Sequence, residues 1–384
     1  MKCREVIRAF QKIIMDIYLI FLSGEKLNKQ NKLFIYFSIS MKQNKIFIRR
    51  YILTLIFVCG FQYCVAFTPP VTQHGQLRVE GVNIVAQHNQ KVALKGISLG
   101  WHNWWPQFYN PFVVEYLTHD WHISVIRAAM GVEPAGGYLE NPEKSKALIK
   151  IIIDAAITNG LYVIVDWHSH GTFTDQAEVF FSEIAQRYAS YPNIIYEIFN
   201  EPENIPWDEI KKYSIRIIEA IRKYDKNNLI IVGTPNWSHD VDVAADSPIA
   251  GYENILYSLH FYAASHDYLW SKAEYAVNRG LPVFVSECSP SEAEGNGTLN
   301  KIRFSIWMDF LKRNKISFVL WGLYDKEEST AMLKPEANYF GNWPRDQLTE
   351  MGIYSKKILG GGINLTGIIK IEGYVKCDLE SVAV

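Results

Sequence analysis

Eight short runs of β-branched and aromatic residues recur along the chain: Val92–Ser98, Ile123–Met130, Tyr162–His168, Ile194–Pro202, Leu229–Pro235, Ile255–Tyr262, Pro282–Glu287 and Ile316–Leu323. Amphipathic stretches separate them. In Trp207–Asp225, Ile210, Ile215, Ile217, Ile218 and Ile221 fall at roughly helical spacing. Gly160 and Gly280 stand where a helix would end before the next run. Strand–helix alternation demands a parallel sheet covered on both faces. Eight such units predict a closed (β/α)8 TIM barrel, an α/β fold in one domain. An open doubly wound sheet is the alternative. It would more often carry a glycine-rich phosphate loop after its first strand, and neither common form of that loop occurs here.

The termini do not share this rhythm. Residues 1–66 hold 11 of the 39 Lys/Arg and 3 of the 40 Asp/Glu, so the remaining 318 residues are acidic, 28 against 37. An acidic body with no basic stripe argues against a nucleic-acid partner. Within 1–66, the basic Met41–Arg50, the apolar Tyr51–Phe61 and the small-residue ending Cys64–Ala66 read as a secretory signal peptide. The apolar run is short for a membrane span. Signal peptides begin near the chain start, so Met41 is the expected true start and 1–40 an upstream extension. The expected catalytic domain is 67–360, with 361–384 a loose C-terminal extension. The mature protein is expected to be secreted, monomeric and free of the membrane. Beyond residue 66 only Cys288 and Cys377 remain, too few for a disulfide framework, though they could pair. Asn236, Asn296 and Asn364 open glycosylation sequons.

Barrel enzymes place their chemistry at the C-terminal ends of the strands. Those ends read Arg127, His168, Asn200–Glu201, His260–Tyr262, Glu287 and Trp321. Glu201 and Glu287 close the fourth and seventh runs, which face one another across a barrel mouth. Two carboxylates flanking one gap are what glycoside hydrolysis needs, one neutral as a proton donor and one anionic. Like charges that close cannot both ionise easily, which raises one pKa. Burying a carboxylate at the end of an apolar run, as at Glu201, is costly unless it is paired or neutralised. The WHNWWPQFY loop (Trp101–Tyr109) either lines the cleft or forms a second core layer.

These residues sit in a recognisable series. The segments VIRAAMGVEPAGGYL, VIVDWHSH, IIYEIFNEP, VGTPNWSHDVDVAA, LHFYAASH and WGLYDKEESTAML together resemble glycoside hydrolase family 5, most closely its secreted endo-β-1,4-glucanases. The resemblance covers roughly residues 75–358. It implies a TIM barrel and a retaining two-step mechanism on β-1,4-glucan, with no cofactor and no metal. It implies Glu201 as acid/base, with a raised pKa, and Glu287 as nucleophile. Arg127 and Tyr262 would support Glu287, His260 would orient Glu201, and Asn200 would bind the sugar 2-hydroxyl. His168, Trp237, Trp321 and Lys326 would bind substrate. Two positions depart from the family. Cys288-Ser289-Pro290 follows Glu287 where an aromatic and a glycine are usual, and Gly131 stands where some members carry an aromatic.

Three other readings compete. The same mechanism could act on xylan or mannan. The altered loop after Glu287 would suit a secreted polysaccharide-binding protein with impaired catalysis. His168, His170 and His260 could instead serve a metal-dependent hydrolase.

Overall fold

A computed structural model describes residues 67–360. The expected leader, the C-terminal extension, Cys377 and Asn364 lie outside the described residues. After a one-turn helix α1 (Pro70–His74), three short strands, β1 (Arg78–Glu80), β2 (Asn83–Val85) and β3 (Lys91–Val92), form an antiparallel sheet. Then come the barrel strands β4 (Lys95–Leu99), β5 (Val125–Gly131), β6 (Tyr162–His168), β7 (Ile194–Glu197), β8 (Leu229–Val232), β9 (Ile255–Tyr262), β10 (Val283–Ser289) and β11 (Phe318–Leu323). They close in the order β10-β11-β4-β5-β6-β7-β8-β9, with every neighbouring pair parallel.

The eight expected runs are the eight barrel strands, most with boundaries moved by one to five residues, and two of the corrections bear on the site. Val92 belongs to β3, and the barrel begins at Lys95. The fourth strand stops at Glu197, four residues short of Glu201. Past Glu197 the chain crosses over Gly233, where a Cβ would lie 2.4 Å from Phe199 O and 2.9 Å from Pro202 Cδ. Its backbone then bonds to β6 and its extension, Asn200 N to Trp167 O and Glu201 N to Ser169 O. Glycine at 233 makes this crossing possible.

Helices α2 (Pro111–Asp120), α3 (Pro142–Asn159), α4 (Thr174–Tyr188), α5 (Trp207–Arg222), the short α6 (Pro235–Ser238) and α7 (Val241–Asp246), α8 (Leu269–Asn278), α9 (Lys301–Asn314) and α10 (Glu350–Leu359) complete the units. α5 buries Ile210, Ile217, Ile218 and Ile221 on one face. Gly160 ends α3 in the left-handed conformation, φ 65°, and returns its N–H to the last turn. Among the described residues no helix is long and apolar enough to cross a membrane.

One end of the barrel is plugged. Leu77, Ile84, Val92 and Leu94 pack with the inward residues Val125, Tyr162, Ile164, Ile195, Leu229, Leu256, Phe284 and Val319. That apolar layer occupies the N-terminal ends of the strands and leaves the other end to polar side chains.

Candidate active site

The polar end begins with one guanidinium. Arg127 points inward from the middle of β5 and is fully buried. An unpaired charge there would cost several kcal/mol. Strand register supplies partners. Arg127 sits opposite Ser98 of β4 and Ile164 of β6, while Asp166 of β6 lies opposite Glu197 of β7. Arg127 Nε donates to Glu197 Oε2 at 2.7 Å, Nη1 to Glu287 Oε2 at 3.0 Å, and Nη2 to Asn200 Oδ1 at 2.6 Å. Nη2 also lies 3.0 Å from Asp166 Oδ2. Three carboxylates therefore converge on one cation.

The sequence reading paired Arg127 with Glu287 alone and missed Asp166 and Glu197. Each stood inside an apolar run, and that was the available signal, because a carboxylate in such a run needs a partner. Burial pushes the Asp166 carboxyl well up despite Arg127. Burial acts the same way on Glu197, but the charges of Arg127 and His260 outweigh it and hold Glu197 below its usual value.

Glu287, on β10, has Arg127 on one oxygen and the Tyr262 hydroxyl on the other, 2.6 Å away. Burial and the Glu201 charge still leave its pKa above the ordinary value. Burial and the Glu287 charge also keep the Tyr262 phenol protonated, so it remains a donor.

Glu201 lies across the gap. His260 Nδ1 is 2.8 Å from its Oε1, and His170 Nε2 is 3.5 Å from its Oε2. Oxygens of Glu201 and Glu287 lie within 4.8 Å of each other, with a His260 ring nitrogen equally close. The expected raised pKa of Glu201 is reversed. Burial would raise it, but two imidazoles bond to the carboxylate and hold it far below the carboxylate range. In return His260 is raised to about 9 and His170 to about 10. Both imidazoles are thereby favoured in the charged form.

The remaining expected residues divide. Asn200 is buried, and its Nδ2 has no partner, leaving a free donor beside Arg127. His168 bonds through Nδ1 to Asp166 at 2.7 Å, stacks on Trp321 at 5.4 Å, and meets the Trp101 edge at 4.3 Å. Burial and the Arg127 charge keep its ring neutral. Trp321 and Lys326 line the cleft, and Lys326 pairs with Glu328. Trp237 does not line it. It stands 37% exposed on a left-handed turn whose N–H bonds Pro202 O, next to Glu201 in the chain.

The cleft holds about 250 Å³ and is lined by Trp101, Trp104, Trp105, His168, Glu201, Tyr262, Glu287 and Trp321, among others. The aromatic loop therefore lines the cleft. His102 in that loop is structural, held by Ser145 at 2.7 Å and by the Gly131 N–H at 3.0 Å. A larger hollow of about 670 Å³ lies at the plugged end, between Leu77 and Pro282, and contains none of the clustered carboxylates. The three histidines of the metal reading are held by three different carboxylates, Asp166, Glu133 and Glu201.

Both departures from the family series have local explanations. Cys288 points away from the cleft into the barrel wall, with its thiol toward Val319 O at 3.4 Å. At Gly131 a Cβ would meet Asn103 Oδ1 at 2.4 Å and Trp101 at 2.8 Å. The Trp101 loop occupies the space that a side chain would need.

The family model for cellulase (glycosyl hydrolase family 5) matches residues 85–327. An endoglucanase of Clostridium saccharobutylicum is 42% identical over 295 residues, covering 75% of this chain and 65% of that protein. Endoglucanase Z of Dickeya dadantii is 42% identical over 290 residues, covering 74% of this chain and 66% of its own. The chain thus spans about two thirds of the length of these relatives. Among solved structures, the catalytic domain of a Thermobifida fusca endoglucanase matches at TM-score 0.73 and 32% identity, over 76% of this chain and all of that one. The chain belongs to glycoside hydrolase family 5.

Proposed function

We propose that the chain is a retaining endo-β-1,4-glucanase that works by double displacement. One observation carries the reading. Oxygens of Glu201 and Glu287 lie within 4.8 Å across the cleft. Retaining enzymes hold their carboxyl groups about 5–5.5 Å apart, whereas inverting enzymes need roughly 6.5–9.5 Å to admit a water.

In this mechanism Glu287 attacks the anomeric carbon. Arg127 and Tyr262 aim its oxygens and favour the anion. Glu201 gives a proton to the leaving oxygen, then takes one from the incoming water. Asn200 Nδ2, the free donor, suits the sugar 2-hydroxyl, a contact that strengthens in the transition state. His168, Trp101 and Trp321 form a wall for the sugar in the cleavage position. Lys326 suits a hydroxyl, and Trp237 suits a sugar further along on the Glu201 side.

The relatives named endoglucanase support a β-1,4-glucan substrate. So does a solved complex of the Thermobifida fusca domain with cellotetraose. The reading requires no cofactor. It carries with it a secreted, monomeric enzyme, the secretion supported by the leader-like Met41–Ala66.

The test is product formation from cellohexaose, with xylohexaose and mannohexaose in parallel and Glu287→Gln as control. Internal cleavage of cellohexaose by the wild type alone is the expected result. Cleavage confined to xylohexaose or mannohexaose would move the substrate and keep the mechanism. Binding without any turnover would overturn the enzyme reading.

A further inference from the structure

His170 is the second histidine of the His-Ser-His run, and the mechanism above leaves it unused. We propose that Glu133 and His170 form a positioning pair that holds the proton Glu201 delivers to the leaving oxygen. This rests on the hydrolase reading above.

The geometry is directional. Glu133 follows β5 and His170 follows β6, so adjacent loops at the barrel mouth bring them together. Glu133 Oε1 accepts from the His170 backbone N–H at 2.8 Å and faces ring Nδ1 at 3.1 Å. That grip turns Nε2 toward Glu201 Oε2, 3.5 Å away. The Trp101 ring lies stacked beside the imidazole, 5.9 Å between centroids. Glu201 thus has an imidazole on each oxygen.

The two imidazoles differ in access to water. The His260 side chain is fully buried and its Nε2 is held by Ser286 at 3.0 Å. That Nε2 also lies 3.7 Å from Glu197 Oε1, so both ring nitrogens of His260 face protein groups. The His170 side chain is 33% exposed, against 17% for Glu201. His170 is therefore the more solvent-open of the two imidazoles on Glu201.

The surrounding charges agree. Bonds from Glu133 and Glu201 raise His170 to about 10. Glu201 also faces His260 and Glu287. Tyr262, His168, His239 and His266 are kept neutral by burial. The two imidazoles thus favour the ionised form of Glu201.

The step balances without a further reagent. The Nε2–H bond of the His170 imidazolium breaks, and its proton moves to Glu201 Oε2. That proton then passes to the glycosidic oxygen as the C–O bond breaks and the oxygen keeps the electron pair. Glu287 bonds the anomeric carbon. In the second half, Glu201 takes a proton from water as the water displaces Glu287, and returns a proton to His170.

The test is the pH dependence of kcat/KM on cellohexaose for wild type, His170→Asn and Glu133→Gln. A dinitrophenyl cellobioside, whose leaving group needs no proton, runs in parallel. For His170→Asn we expect about a 100-fold loss on cellohexaose, with the alkaline limb moved down by about one pH unit or more. The loss should fall on kcat more than on KM. On the dinitrophenyl substrate kcat/KM should stay within about threefold. Glu133→Gln should shift the limb the same way by less. An unmoved limb, or equal losses on both substrates, would make the pair merely structural. A limb moving up would mean that the His170 charge only suppresses the acid. A wild type inactive on every hexaose would overturn the hydrolase reading, and this pair's role with it.

Discussion

Arg127 Nη1 donates to Glu287 Oε2 at 3.0 Å, yet Glu287 is only one of three buried carboxylates on that guanidinium. Glu287 is therefore mounted on an ion cluster whose cation cannot be neutralised. Removing it would leave Asp166, Glu197 and Glu287 without their shared partner.

Arg127→Ala should accordingly cost stability as well as activity. Breaking a buried ion pair from one side costs about 3–5 kcal/mol. Denaturant unfolding should show a loss of that order, and turnover should vanish in whatever folds. Wild-type stability in Arg127→Ala would mean that the cluster does not hold the barrel mouth.

Gly131 makes a different prediction. A side chain there would strike Asn103 and Trp101. Gly131→Ala should destabilise by about 1–3 kcal/mol through overpacking and raise KM by displacing the Trp101 loop. A variant with unchanged KM would show that the loop accommodates the methyl group without moving from the substrate.

Stability should also depend on pH in a defined window. His260 is raised from 6.5 to about 9, because its bonds to Glu197 and Glu201 overcome the burial that opposes its charge. The folded state thus holds a proton that the unfolded chain releases near 6.5. That stabilisation is complete below about 6.5 and is lost as pH rises through about 9. His170 acts the same way up to about 10. Denaturant midpoints should fall between pH 6.5 and 9.5 and fall less steeply in His260→Gln. A flat profile in the wild type would contradict the charged imidazoles.

Much of this site was legible in the sequence because parallel strands betray themselves. Arg127, His168, His260, Tyr262 and Glu287 lie within barrel strands, where an ionisable residue in an apolar run stands out. Glu201 was legible for a different reason, since it lies past its strand, on a crossing permitted by Gly233. What could not be read was the sharing of Arg127. Asp166 and Glu197 meet it through register between neighbouring strands, and register is a property of pairing. The pKa order of Glu201 was likewise invisible. It depends on His170 as well as His260, and His170 comes from a loop that reaches Glu201 only in the folded barrel.

The most direct measurement is covalent trapping. Incubation with a 2-deoxy-2-fluoro cellobioside carrying a good leaving group should add the mass of one 2-deoxy-2-fluorocellobiosyl group to the protein. Peptide mapping should then place that mass on Glu287. A label on another residue, or clean hydrolysis with inverted product and no adduct, would contradict the double displacement.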